Sequence, residues 1–335
     1  MHSENLSPSN VLNLMKVKFS ISFFFSCALM GLFLDSCSNN ERQVVPCDID
    51  TDEILKPLQP NEDDGPENLT FGEKHIPGFV FDNEFTTDNN DVYVYLQNFT
   101  LLDVNPAINQ SLMDFIVSNL AEYGFINDSI SVTSNEFDRL QASGLSYFDA
   151  AGKVLDNIQN AFDAQLETIK SYDSPFNIYF QINPVFLDNR FVTYKESAYI
   201  YTGGAHGMTV TYLKTYSLES GKNLDFNDIV KPNCRSMVRE EVAAQMAYSY
   251  PIYENITTVS QYIDSLNVWL DNSNESDGSG KITASDFPVS DVALVEQGLV
   301  FVYEMYELTP GSDGCPIVVI PYSAIRGALD DSIGK

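Results

Sequence analysis

"FVTYKESAYIYTGGAHGMTVTYLKTYSL", residues 191–218, sets two runs rich in Tyr, Thr, Val and Ile on either side of a glycine-rich hinge. Residues that alternate with a period of two belong to half-buried strands. The runs 191–201 and 208–218 therefore read as antiparallel neighbours, and TGGAHG reads as the turn between them. "FNIYFQI", residues 176–182, supplies a strand before them, and Glu219-Ser220-Gly221-Lys222 the turn that leaves the third.

Outward from this hairpin the pattern changes period. "VYVYLQNFTLL", residues 92–102, is a strand, and Asn105-Pro106 then offers an N-cap followed by proline at the first helical position. Ile108, Leu112, Phe115, Ile116, Leu120 and Tyr123 recur at helical spacing, as do Leu155, Ile158, Phe162, Leu166 and Ile169. Downstream, residues 237–247 and 259–270 read as helices. "GLVFVYEMYEL" (298–308) and "PIVVIPY" (316–322) read as strands, with a short helix near 323–329. Helices grouped beside antiparallel strands predict an α+β fold, with antiparallel sheets and helices packed on one face, rather than a doubly wound sheet.

The N-terminus reads as a targeting segment. Lys16 and Lys18 precede the apolar run Phe19–Leu34, and Leu34-Asp35-Ser36-Cys37 brings a small residue and a cysteine to the point of cleavage. The run is short for a membrane-spanning helix. It resembles a bacterial lipoprotein signal over residues 1–36, with Met15 as the start and Cys37 as the lipidated residue; Cys27 and an uncleaved anchor helix are the alternatives. Ser38 is similar to the residue that sends such lipoproteins to the outer membrane, so the expected location is the cell envelope, anchored in the membrane through lipid. Residues 37–75, with "QPNEDDGPENLT", read as a solvated tether.

Lys and Arg total 18 against 47 Asp and Glu, a formal net charge of −29 across 335 residues. The first 36 residues carry Lys16 and Lys18 against Glu4 and Asp35, so the deficit lies wholly beyond them. Such a surface repels nucleic acid, which is excluded as a partner, and would attract a cationic protein; solubility and self-repulsion at a crowded surface are the alternative reading of the charge. With Cys37 acylated, Cys47, Cys234 and Cys315 remain in an oxidising compartment, and Cys234 with Cys315 is the expected disulfide because both lie in the folded C-terminal half.

Candidate chemistry is sparse. His206 on its glycine loop would serve as a general base or metal ligand given partners, but beyond the targeting segment the chain adds only His75, and neither HExxH nor GxSxG occurs. Gly203, Gly204 and Gly207 with His206 read as a structural or binding turn. "ESDGSGKITASD", residues 275–286, lays Glu275, Asp277, Ser279, Thr283 and Asp286 at calcium-loop positions, though Glu275 replaces the first aspartate, Asp286 is short for a bidentate ligand and Pro288 spoils the exiting helix. A surface loop is the alternative reading. No catalytic residue, metal site or cofactor is assigned. The 18 Tyr and 22 Phe suggest core and cross-strand pairs, or a sugar-stacking platform.

TGGAHG joined to "SLESGKNLDFNDIV", and "GLVFVYEMYELTPGSDGCPIVVIPY" later, resemble the bacterial extracytoplasmic domain of unknown function 3298, usually preceded by partner domain 4163, the PdaC-like domain. Gly203 to Gly207, Gly221, Lys222, Asp228, Tyr306, Glu307, Pro310, Ile320, Pro321 and Tyr322 carry the resemblance; Cys315 interrupts its usual Gly-Pro pair. The resemblance implies a PdaC-like α+β domain over 76–200 and a 3298-like α+β domain over 201–330. Its characterised members imply two roles: the lysozyme-binding sensor half of an anti-sigma factor, and a non-catalytic domain preceding a peptidoglycan deacetylase. The expected function is a non-enzymatic, lipid-anchored binding module for a cationic protein such as lysozyme. A cell-wall glycan-binding accessory protein and an envelope hydrolase are the alternatives.

Overall fold

The computed structural model describes residues 68–71, 74–86, 92–126, 136–169, 176–201, 207–252, 256–272, 281–309 and 315–333. The signal, Cys37, most of the tether, Gly203, Gly204, His206, Glu275, Asp277 and Ser279 lie outside them. Strands β1 (Asn68–Phe71), β2 (Lys74–Thr86) and β3 (Val92–Leu102) are followed by helices α1 (Pro106–Glu122), α2 (Glu136–Ala142) and α3 (Tyr147–Ile169). Then come β4 (Phe176–Leu187), β5 (Phe191–Tyr201), β6 (Met208–Ser217) and β7 (Asn223–Leu224). The rest comprises α4 (Phe226–Ile229), α5 (Arg235–Ser249), α6 (Val259–Asn272), β8 (Asp291–Val295), β9 (Gly298–Val302), β10 (Ile317–Pro321) and α7 (Tyr322–Ile325).

Strands β1 to β7 form one sheet in chain order, and β10-β9-β8 a second. All pairings are antiparallel except β3 with β4, which run parallel from Val92↔Phe176 to Phe99↔Ile182. That departure from the antiparallel expectation has a simple cause. Parallel neighbours need a long crossover, and α1 to α3 provide it. The pairing of β5 with β6 carries the long sheet across residue 201, where the sequence suggested a domain boundary. The strand β1 likewise falls inside the stretch read as tether, and Leu69 in it is buried in the main core.

Alternation sorts the strands into layers. Val94, Leu96, Ile178, Phe180, Ile182, Tyr194, Ala198 and Ile200 face Ile108, Leu112, Phe115 and Ile116 of α1 and Val154, Ile158 and Phe162 of α3. At one end of the opposite face, Val185 and Leu213 meet Ala293, Val295, Val300, Val302 and Val319 of the second sheet. The far side of that sheet, through Leu299, Phe301, Val318 and Ile320, is covered by Val238, Val242 and Met246 of α5 and Tyr262 and Leu266 of α6. The order is helices, long sheet, short sheet, helices.

A buried hydroxyl chain joins the sheets. Leu294 N–H donates to Thr215 Oγ1 (2.8 Å), Thr193 Oγ1 donates to the Leu294 carbonyl (2.6 Å), and the two threonine oxygens lie 2.7 Å apart. With the Thr193 proton committed to Leu294, Thr215 donates the proton between them.

Asn105 caps α1 as read, its Oδ1 accepting from Ala107 N–H at 3.0 Å with Pro106 next. "GLVFVYEMYEL" is a strand only to Val302; beyond it Glu307 N–H returns to the Glu304 carbonyl and closes a turn. The expected Cys234–Cys315 disulfide is absent: both are free thiols. Cys234 precedes α5, whereas Cys315 Sγ sits 3.5 Å from the Thr209 carbonyl of β6.

Candidate functional site

Of the glycine loop, Gly207 is described, and it explains one glycine. A Cβ built there would lie 2.4 Å from Cζ of Tyr199, so the tyrosine ring closes directly over the backbone. Of the proposed calcium loop, Thr283 and Asp286 are described and satisfy each other. Thr283 accepts from Asp286 N–H and donates to its Oδ2 at 2.9 Å, capping a 3-10 turn over Ala284–Asp286 in place of the calcium motif's exiting helix. Among the described residues no group of three or more His, Cys, Asp or Glu could hold a metal ion, and no helix is long and apolar enough to cross a membrane.

The chemistry that sequence reasoning missed lies on β5 and β6. In register, Glu196 stands opposite Tyr212, and Tyr194 opposite Lys214, all on the face toward α1. The Glu196 side chain is fully buried, with Lys214 Nζ at 2.7 Å and Tyr216 OH donating at 3.0 Å. Tyr216 OH is in turn 3.1 Å from Ser111 Oγ on α1. Lys214 lies over the rings of Phe115 and Tyr212, 5.6 and 5.3 Å from their centroids. Burial pushes the Glu196 carboxyl up; the Lys214 charge and the two hydrogen bonds pull it down. The signal was there: within the inward row Val192, Tyr194, Glu196, Ala198, Ile200, one residue is a carboxylate.

More carboxylates gather at the β6 edge. Tyr212 OH donates to Glu304 Oε1 at 2.9 Å, and Glu304 N–H donates to Glu307 Oε2 at 2.8 Å, while Ser290 Oγ donates to Glu307 Oε1. Burial raises Glu307, and raises Asp291 at the start of β8 to about 7; Lys214 opposes the rise at Asp291, and Glu307, Glu196 and Glu304 add to it. Tyr123 at the end of α1 is pushed up to about 12 by burial and by the charges of Glu122 and Glu304. Burial also raises the Cys315 thiol, which disfavours the thiolate a nucleophile requires. Between Glu304 and Glu307, Tyr306 is exposed and holds φ at 71°, a left-handed backbone unusual for a bulky residue.

The other face of the long sheet carries aligned rows. Tyr93, Asn177 and Tyr201 pair across β3, β4 and β5; Tyr95, Tyr179 and Tyr199 form the next row, continued by Thr209; Gln97, Gln181 and Ser197 form the third, continued by Thr211. Tyr95 and Tyr179 stack with centroids 4.8 Å apart and planes 5° from parallel, and Tyr179 lies 5.9 Å from Tyr199. Gln181 Nε2 donates to Gln97 Oε1 at 3.2 Å, and the Ser197 and Thr211 hydroxyls are 3.2 Å apart.

A comparison with curated proteins finds no match. Among solved structures the chain is similar to a DUF3298 family member from Bacteroides fragilis, at 15% identity and TM-score 0.46, over 76% of this chain and 94% of that one. It is also similar to a DUF3298 family protein from Pseudomonas aeruginosa, at 17% identity and TM-score 0.43, over 77% and 96%. The family model "Protein of unknown function (DUF3298)" matches residues 227–323, from α4 through the short sheet into α7. Residues 227–323 thus form a DUF3298 domain, and the strands that carry Glu196, Lys214 and the tyrosine rows precede it.

Proposed function

We propose that the chain is a non-enzymatic binding module, held at the outer membrane through lipid on Cys37, that recognises a cationic envelope protein such as a lysozyme. In this reading a PdaC-like part precedes the DUF3298 domain, and the whole works like the sensor half of a lysozyme-binding anti-sigma factor. The supporting observation is the excess of 47 carboxylates over 18 Lys and Arg, with Glu304 accepting from Tyr212 at the β6 edge and the charges of Glu122 and Glu304 both raising Tyr123 beside it. A field of one sign raises the local concentration of oppositely charged partners and speeds their encounter. The best-buried charge, Glu196, is tied to Lys214 and Tyr216 inside the fold, an arrangement suited to holding strands together rather than to turning over a substrate.

The test is titration of the chain with hen lysozyme at two ionic strengths. Binding is expected at low salt and should weaken by about tenfold or more at physiological salt, where the Debye length shrinks to about 8 Å. A lack of binding at low ionic strength would remove this reading.

A further inference from the structure

We propose that the tyrosine–glutamine face of the long sheet is a binding site for a glycan strand of N-acetylated amino sugars. It uses residues on the opposite face from Glu196 and Lys214, so it stands independently of the cationic-protein reading.

The short sheet covers this face only at the end marked by Val185 and Leu213. Beyond that end, Tyr93, Tyr95, Tyr179 and Tyr201 keep part of their surface in water, and Tyr199 is 40% exposed. At the usual spacing of about 4.8 Å between strands, the rows from β3 to β5 make a strip about 10 Å wide, bounded on β6 by the buried Thr211. From β3 to β5 its chemistry is uniform, phenols, primary amides and an aliphatic hydroxyl, with Lys195 in the row at one margin and Glu84 of β2 in register with Tyr95 at the other. In a chain of net charge −29 a neutral strip is unsuited to drawing a charged partner. It matches a ligand that is itself neutral, bears hydroxyls and presents C–H faces between them.

One detail narrows the ligand. The Gln97–Gln181 amide pair leaves donors and acceptors of an amide kind in the row at one end of the strip. An acetamido group offers the N–H and C=O that complement such side chains, whereas a plain polyol does not. Part of the strip is also ordered before any ligand arrives: Tyr95 and Tyr179 are stacked, and Ser197 is tied to Thr211. Tyrosine gives broad amphipathic contact with few rotatable bonds to freeze, so binding forfeits little entropy.

The test is calorimetric titration of the chain with the β-1,4-linked N-acetylglucosamine hexamer and with cellohexaose, which keeps the same backbone but has hydroxyls in place of acetamido groups. The hexamer should bind at least about tenfold more tightly, because a site built around amide hydrogen bonds rejects the analogue that lacks them. Tyr199→Ala and Gln181→Ala should each weaken it about fivefold or more with the melting temperature little changed, while Glu304→Gln leaves it untouched. Absence of hexamer binding at millimolar concentration, equal binding of cellohexaose, or wild-type affinity in both variants would overturn the proposal. So would sedimentation showing a dimer that Tyr199→Ala dissolves, since the face would then belong to a second copy of the chain.

Discussion

Lys214 Nζ lies 2.7 Å from Glu196 Oε2, across one strand pairing and beneath α1, with the carboxylate fully buried and the lysine 24% exposed. A buried ion pair gains little over a well-packed apolar pair, but breaking it strands a charge in a medium that cannot solvate it. Lys214→Met is therefore expected to cost about 3 kcal/mol, at the low end for such pairs because the lysine retains some water. The double variant Glu196→Leu with Lys214→Met should recover most of that loss. Urea unfolding of the single and double variants decides it; equal destabilisation of both would show that the pair itself supplies the stability.

Asp291 links folding to pH. Its folded pKa, about 7, stands above the ordinary carboxylate value, so the folded state holds a proton the unfolded chain has released between roughly pH 4 and 7. Folded protein then binds more protons than unfolded, and stability falls as pH rises through that window. Glu196 and Glu307 are raised too and act in the same sense, whereas Asp228 and Glu136 are lowered and lose their contribution in more acid solution. Asp291→Asn should raise the melting temperature at pH 8 and do so much less at pH 5. An equal change at both pH values would place the effect elsewhere.

These two sites show what the sequence disclosed and what it hid. Period-two alternation located β4, β5 and β6, and the Asn105-Pro106 cap located the start of α1, because both are written in neighbouring residues. Glu196 was visible as a charge in an inward row, but its partners Tyr216, Lys214 and Ser111 come from β6 and α1, and only the strand register brings them together. The parallel pairing of β3 with β4 was hidden for the same reason: nothing local distinguishes a strand that returns by a hairpin from one that returns through helices. The free thiols follow this rule as well, since a shared half of the chain says little about whether two sulfurs meet.

Two glycines of similar surroundings on paper should differ sharply when replaced. A Cβ at Gly298 would lie 2.1 Å from the Ile320 carbonyl, a backbone atom fixed in the β9–β10 ladder. At Gly207 the obstacle is the far end of the exposed Tyr199 side chain, which can swing aside. Gly298→Ala should thus cost about 2 kcal/mol or more, in the range of overpacked cores, and Gly207→Ala under about 1 kcal/mol. Chemical denaturation of the two variants gives the comparison, and similar costs would mean that the short sheet yields more easily than its pairing implies.

Tyr306 offers the opposite case, a substitution expected to stabilise. Its φ of 71° is held because Glu307 N–H closes the turn on the Glu304 carbonyl, while the two carboxylates are pinned by Tyr212, Ser290 and Glu304 N–H. A non-glycine residue in this region carries about 1 kcal/mol of steric strain, which asparagine tolerates better than tyrosine. The ring is 46% exposed and returns little burial for that strain. Tyr306→Asn should therefore raise stability by about 0.5–1 kcal/mol, read as a higher denaturant midpoint with an unchanged slope. If it lowers the midpoint instead, the exposed ring contributes packing that outweighs its strain, and Tyr306→Phe would then match the wild type while Tyr306→Asn and Tyr306→Gly would both fall below it.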